Sequence, residues 1–319
     1  MNSPTISILI PCYNAEGWVA QAIESALEQT YMNKEVIVVN DGSTDNSLDI
    51  IQAFDAKIRW ETGPNRGGNA ARNRLLELST GEWIQYLDAD DYLLPDKLEK
   101  QVKFLEDNLQ TEVIYSPHIT ENKDAQGFSR TVHNIVEYPQ PHDLWLLASR
   151  WHLPQTGGLL IRKQSLIDVD GWRDGLKHCQ DYDLYVRLLK AGKRFAYCDQ
   201  VGAVYRWWCS GTVTRRNILE IYRDRLDVQS AIEAHLIATK QLTQSRKEAI
   251  YQAKFEYARR IYTWDKQWAA KVAEEVRHHE PDFVPSGKVA PALYRNLYKT
   301  IGFSGAEYVA TAKRKILNW

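Results

Sequence analysis

An α/β fold built on a mainly parallel, Rossmann-like sheet, with a helical region after it, is what this 319-residue sequence predicts. Three observations predict it. Short β-rich apolar runs alternate with helical periodicities through most of the first 215 residues. The loops rich in Asp, Asn and Gly fall directly behind those runs. Beyond about Arg215 the runs cease and long helical patterns replace them.

Residues 6–10 form the first β-rich run. Residues 15–29 follow with Val19, Ile23, Ala26 and Leu27 at helical spacing. Residues 35–39 read as a second strand, 47–54 as a helix, 58–60 as a short strand and 69–79 as a helix. Residues 83–87 are the next strand, 95–108 a helix and 112–116 a strand. Continuous apolar strands alternating with helices argue a sheet covered on both faces. Ligands of such sheets bind outside the carboxyl ends of the strands. From 118 to 152 the pattern weakens and predicts a long connection. Residues 159–161, 195–198 and 203–208 read as the last strands, and 181–191 as an amphipathic helix stopped by Gly192. Residues 217–238 and 245–278 are long helical patterns, with shorter ones in 291–319. The expected division is 1–215 for the α/β domain and 216–319 for the helical region.

Lys and Arg number 40 and Asp and Glu 41, a net charge of −1 that points to no nucleic-acid partner. Cys12, Cys179, Cys198 and Cys209 are scattered, which suits free thiols in a reducing compartment rather than disulfides or zinc. The start of the chain has no signal-peptide pattern. No apolar stretch approaches the roughly 18 residues of a membrane span. The expectation is a cytoplasmic protein, free to lie peripherally on a membrane.

Asp88-Ala89-Asp90-Asp91 follows the strand at 83–87. Carboxylates crowded at the mouth of a sheet repel one another unless a cation joins them. Their hard oxygens suit Mg²⁺ or Mn²⁺ held together with substrate phosphates. The plainer reading is a solvated turn with Asp91 or Asp96 capping the next helix. Asn40-Asp41-Gly42-Ser43-Thr44-Asp45 also follows a strand. There Asp41 could accept from an imide N–H or serve an Asx-turn, and Ser43 or Asp45 could cap the helix behind. Pro11-Cys12-Tyr13-Asn14 ends the first strand, where Tyr13 could stack on a base or pack on the fold. Gly67-Gly68 opens a helix flanked by Arg66, Arg72 and Arg74. No GxGxxG or GxxxxGK[ST] pattern occurs, which weakens dinucleotide-binding and P-loop readings.

Ser7-Ile-Leu-Ile-Pro-Cys-Tyr-Asn14, Val38-Val-Asn-Asp-Gly-Ser-Thr-Asp45, Asn65-Arg-Gly-Gly-Asn-Ala-Ala-Arg-Asn73 and Tyr86-Leu-Asp-Ala-Asp-Asp91 together resemble the family 2 glycosyltransferases, in that family's order and over about residues 5–215. The resemblance implies a GT-A fold, a nucleotide-diphosphate sugar donor, a divalent metal and inversion at the anomeric carbon. It places Asp41 on the base, expected to be uracil, with Pro11, Tyr13, Asn14 and Arg72 on the same nucleotide side. Asp88 then lies near the ribose and metal, and Asp90 ligates Mn²⁺ or Mg²⁺ directly. An acceptor hydroxyl needs a base opposite the leaving group. The family pattern Glu-Asp-x-Asp matches Gln180-Asp181-Tyr182-Asp183 and selects Asp181 as that base. Helical spacing independently turns Asp181 inward with Leu184, Tyr185 and Leu188, while Asp183 pairs with Arg187 outside; the plainer reading is that Asp181 caps the helix.

Gln180 replaces the family's Glu, which removes a negative charge beside Asp181 and makes it more acidic than otherwise. His178 is a substitute base or, more simply, a surface or supporting histidine. Gln155–Gly158, with Gly157 and Gly158, resembles the acceptor-side loop. Tyr205-Arg206-Trp207-Trp208 through Ser210 and Thr212 resembles the segment closing over the diphosphate, where Arg206 could contact phosphate. Processive relatives carry Gln-x-x-Arg-Trp and membrane spans, whereas Ala203 stands in the Gln position here. Transfer of a single sugar to a glycan or lipid-linked acceptor is therefore expected. The rivals are a nucleotidyltransferase, for which 11–17 lacks a basic Gly-rich loop, and a catalytically silent sugar-nucleotide-binding scaffold. Trp264, Trp268, Trp319 and Lys313-Arg314-Lys315 in the C-terminal helices suit packing, a homodimer or a membrane surface.

Overall fold

The computed structural model describes residues 3–124, 127–133, 140–207 and 217–316. The chain divides into two compact units, 1–144 with 152–213 and Trp145–Trp151 with 214–319.

The first unit begins β1 (Ile6–Cys12), α1 (Val19–Leu27), β2 (Lys34–Asn40), α2 (Ser47–Gln52), β3 (Arg59–Thr62), α3 (Gly68–Leu78) and β4 (Trp83–Tyr86). It continues through β5 (Tyr92–Leu93), α4 (Lys97–Asp107), β6 (Val113–Tyr115), β7 (His118–Asp124) and β8 (Gly127–His133). After α5 (Leu144–Ser149) come β9 (Leu159–Arg162), α6 (Lys163–Ile167), α7 (Gln180–Lys190), β10 (Phe195–Tyr197) and β11 (Ala203–Arg206). A seven-stranded sheet runs β10-β6-β9-β4-β1-β2-β3. β1 is parallel to both β2 and β4, β2 to β3, and β6 to β10; β9 is antiparallel to its neighbours. The mainly parallel sheet expected from the sequence is therefore present, with one reversed strand. Ile6, Ile8, Ile10, Val36 and Val38 pack with Val19, Ala22 and Ile23 of α1. Leu9, Ile37 and Tyr86 are buried on the opposite face, so both faces are covered.

A second, four-stranded sheet runs β5-β11-β7-β8. It corrects the expectation of a long connection over 118–152, since β7 and β8 form a hairpin there. Every residue of β8 after Gly127 is exposed, so its sequence has no core face to advertise.

The second unit holds α8 (Ile218–Ala238), α9 (Gln244–Ile261), α10 (Lys266–His279) and α11 (Ala292–Ile316). Phe255, Ile261, Tyr294, Phe303 and Ala306 lie in its core. The single pattern expected over 245–278 is two helices. Asp265 accepts from the backbone N–H of Trp268 at 2.9 Å and starts α10 afresh. Trp145–Trp151 joins this unit through sequence-distant contacts: Gln229 donates to the Ser149 carbonyl at 2.9 Å, and the Trp145 and His235 rings lie 5.1 Å apart. The Lys254 ammonium is buried and bridges Glu233 at 2.7 Å and Glu275 at 3.1 Å. Among the described residues no helix is long and apolar enough to cross a membrane.

Candidate active site

The chain moves outward from β1 to β2 and β3, then returns to place β4 on the other side of β1. The loops behind β1 and β4 therefore diverge and leave a crevice at the carboxyl ends of the strands, the usual ligand position in such sheets. The loop behind β2 borders it. Asn14, at φ +49°, accepts from the N–H of Thr44 at 2.7 Å while its own N–H donates to the Ser43 hydroxyl at 3.0 Å. Asp45 accepts from the N–H groups of Glu16 and Ser47, both at 3.0 Å, so it ties the two loops together. Neither it nor Ser43 is the cap residue of α2, a place taken by Asn46.

Asp41 does not form a local Asx-turn, the plainer of the two readings its sequence allowed. Asn40 accepts from the N–H of Ser43 at 3.3 Å, whereas the Asp41 carboxylate reaches across to the N–H groups of Arg66 and Gly67 at 2.7 and 2.9 Å. It thereby fixes the entry to α3. Gly42 holds φ +71°, and a Cβ there would lie 2.6 Å from the Asn65 nitrogen. Pro11 is partly buried and Tyr13 is 52% exposed, so this corner presents an aromatic face beside Asp41. Arg74, by contrast, points away to Glu61 and Glu77.

The acidic turn joins the two sheets: β4 of the first leads through Asp88–Asp91 directly into β5 of the second. Asp91 is buried, accepting from the N–H of Arg206 at 2.9 Å and from Gln155 at 3.0 Å. Burial and its acidic neighbours Asp90 and Asp88 hold its carboxyl well above the usual range. Asp88 receives Arg72 at 2.7 Å and Gln155 at 3.4 Å. Burial, then the Asp88 charge, pushes Asp90 up to about 6. Asp90 thus carries a carboxylate that a cation would stabilise, and no side-chain hydrogen bond to it is seen among the described residues. Asp96 stands at the start of α4 without capping it through its side chain.

Arg72 crosses from this turn to α7. Its guanidinium donates to Asp88, to Gln180 at 2.9 Å and to Asn69 at 3.3 Å, and lies 4.7 Å from the centre of the Trp172 ring. Gln180 and Asp181 are the first two residues of α7. Asp181 is therefore not the cap; Cys179, at φ +54°, precedes the helix. The Asp181 carboxylate accepts from the N–H of Tyr182 at 2.9 Å. Burial raises its pKa, with the Arg72 charge opposing the rise. Asp183 pairs with Arg187 at 2.8 Å, as its spacing predicts, and also with Arg173 at 3.0 Å. His178 is buried rather than on the surface.

Gly157 and Gly158 belong to a tight turn before β9, where side chains would collide with Gln155, Ala203, Ser116 and Pro154. Their neighbour Gln155 is the residue that touches the acidic turn. Arg206 is almost fully buried behind that turn. It donates to the Asp90 carbonyl at 2.9 Å and to Gln21, with Trp18 and Tyr92 rings 5.0 and 4.8 Å away. It braces the turn rather than facing the crevice in this structure. Tyr205, on the alternate face of β11, has its phenol pushed up by burial and then by Asp91, Asp90, Asp88 and Asp181, which places it beside the carboxylates. The sequence named it only within the segment that resembles the diphosphate-closing stretch, where Arg206 alone was given a role. Trp208, Ser210 and Thr212 lie outside the described residues. Among the described residues no three His, Cys, Asp or Glu side chains could by themselves hold a metal ion.

A crevice at a topological switch point, rimmed by carboxylates and an exposed tyrosine, defines an α/β protein of the ligand-binding, doubly wound class. The chain belongs to glycosyl transferase family 2, whose family model matches residues 7–169. An uncharacterized glycosyltransferase of Haemophilus influenzae is 46% identical over 112 residues, 34% of this chain and 45% of that protein. The chondroitin synthase of Pasteurella multocida is 30% identical over 206 residues, 60% of this chain and 19% of that protein. The chain thus spans less than half the length of either relative. An uncharacterized glycosyltransferase of Rickettsia prowazekii is 32% identical over 233 residues, 70% of each chain. Among solved structures, S. aureus TarS 1-349 in complex with UDP-GlcNAc superposes with a TM-score of 0.65 at 16% identity, covering 98% of this chain and 92% of that one. The mannosyltransferase PcManGT from Pyrobaculum calidifontis, in complex with GDP-Man and Mn²⁺, gives 0.52 at 16% identity, covering 100% and 88%. At that identity the likeness is one of fold, and the fold is GT-A.

Proposed function

We propose that this chain is an inverting, metal-dependent glycosyltransferase that moves one sugar from a UDP-sugar to a hydroxyl of a glycan or lipid-linked acceptor. The observation that carries the reading is the Arg72 guanidinium, which donates to Asp88 on the acidic turn and to Gln180 beside Asp181. Donor-side and base-side carboxylates are thereby held across one side chain. TarS in complex with UDP-GlcNAc and PcManGT in complex with GDP-Man and Mn²⁺ support a nucleotide-sugar donor.

In this reading Pro11, Tyr13 and Asn14 line the base and ribose, and Asp41 offers its remaining lone pairs to an imide N–H. Asp90, with Asp88, fits a hard cation such as Mn²⁺ or Mg²⁺, because its own ionisation is opposed by burial and by Asp88. Fewer than three protein ligands suit a cation whose other positions are filled by donor phosphates. Bound there, such an ion would neutralise charge on the departing diphosphate. Asp181 takes the proton of the acceptor hydroxyl as that oxygen attacks the anomeric carbon from the face opposite the leaving group. Its raised pKa makes it the stronger base. Arg72 keeps Asp88 in place, and Arg206 holds the backbone of the turn. We assign this chemistry to residues 1–215 and give the helices of 216–319 packing and surface contacts. The free thiols of Cys12, Cys179 and Cys198 fit a cytoplasmic setting.

Calorimetric titration with UDP, GDP and TDP, with and without Mn²⁺, tests the reading, with Asp90→Asn alongside. Tight UDP binding that needs both the metal and Asp90 is expected. Metal-independent binding would overturn the metal-assisted mechanism. Binding of no nucleotide would return the chain to a silent scaffold.

A further inference from the structure

Charge divides unevenly between the two units. Trp145–Trp151 with 214–319 carries 20 Lys and Arg against 12 Asp and Glu, a net of +8, while the rest of the chain carries 20 against 29, a net of −9. The basic unit also exposes large apolar side chains. On α11, Leu293 is 60% exposed, Ile301 53% and Tyr308 70%, with Val309 beside it. Leu293 and Ile301 are eight positions apart on one side of the helix, ahead of the bend at Gly302. Beyond the bend, Tyr308, Val309, Ala312 and Lys313 share an exposed face. The other side of α11 is occupied, because Tyr294, Phe303 and Ala306 enter the core. Trp264, 64% exposed, lies in the turn after α9. Two residues before it, Tyr262 packs edge-on against Phe303 at 5.8 Å and donates to the Ser304 carbonyl at 3.4 Å, so this turn lies against α11 near its bend. Exposed Lys299, Lys313 and Arg314 on α11, and Arg260 and Lys266 about the Trp264 turn, supply the positive charge.

We propose that the exposed sides of α11 before and after Gly302, with Trp264, seat the chain on a bilayer surface containing anionic lipid. Aliphatic side chains would enter the acyl boundary, Trp and Tyr would sit at headgroup level, and Lys and Arg would meet lipid phosphates. A second copy docked symmetrically through this same face is the poorer occupant, since it would bring one unit of net +8 against another. Nucleic acid would engage the charge but gives no reason for Leu293 and Ile301 to face outward.

Co-sedimentation of the full chain with vesicles tests this, using phosphatidylcholine alone and phosphatidylcholine mixed with phosphatidylglycerol. Binding to the mixed vesicles, weakened by salt and largely absent from phosphatidylcholine alone, is expected. The exposed double variant Ile301→Asp/Tyr308→Asp should keep its Tm and lower vesicle partition by about tenfold or more; Lys299→Glu/Lys313→Glu should lower it as well. No partition onto the mixed vesicles would overturn the proposal. So would partition unchanged in the Ile301/Tyr308 variant, or light scattering showing a dimer that this variant dissociates while vesicles bind neither form.

Discussion

Arg72 touches both halves of the proposed chemistry, so the residue beside it at 180 should tune the base. Gln180→Glu would place a negative charge next to Asp181, opposing its ionisation and raising its pKa further. The acidic limb of a kcat/KM–pH profile should move to higher pH, with nucleotide affinity little changed. Asp181→Asn should keep donor binding and lose about 10²- to 10⁴-fold in turnover; near-normal turnover would show that the base lies elsewhere. Asp90 has a stability signature as well. Its folded pKa of about 6 stands above the ordinary carboxyl value of 3.8, so the folded state binds more protons between those values and stability falls as pH rises through that window. Asp90→Asn removes this penalty. At pH 7 the metal-free variant should melt a few degrees above the metal-free parent, while gaining nothing from Mn²⁺. The carboxylates of the rim were legible because charged groups directly behind apolar strands are costly without a purpose. Gln155 was named only as part of the loop resembling the acceptor side; its contact with Asp91, 64 residues away, was not legible, because a lone amide carries no such cost.

At the scale of elements, the strands and helices that build the large sheet were readable to within a few residues, because burial on both faces leaves long apolar runs. The hairpin of β7 and β8 was not, since strands held mainly by backbone ladders at a surface leave little pattern in side chains. The break between α9 and α10 was hidden by a periodicity that continues across it; only Asp265, three positions before Trp268, marked a new start. The loop behind β2 makes a sharper claim. Gly42 combines a left-handed φ with backbone at 2.6 Å from where a Cβ would stand. Gly42→Ala should therefore cost about 1–3 kcal/mol in chemical denaturation and weaken nucleotide binding through the displaced Asp41. An unchanged denaturation midpoint would mean that the loop relaxes freely.

For the whole molecule, a boundary near 215 is simple in sequence but not in space, because Trp145–Trp151 belongs with the residues beyond it. A chain ending at residue 215 should expose Trp145, Leu147 and Ala148, bind a hydrophobic dye and self-associate. A monodisperse, dye-negative product would show that the segment finds cover without α8. Gln229 follows the Ser149 carbonyl it caps by 80 residues. On a ribosome adding about 5–20 residues per second, the apolar face of α5 would wait about 4–16 s for its partner to be made. During that interval β9 and β10 of the first sheet are still being made, so the nascent chain carries an unfinished sheet and an uncovered helix, a natural point for chaperone capture. It also means that gene fusions or exchanges cut near 215 would inherit an orphaned segment, so the α/β and helical parts of this chain are expected to travel through evolution together.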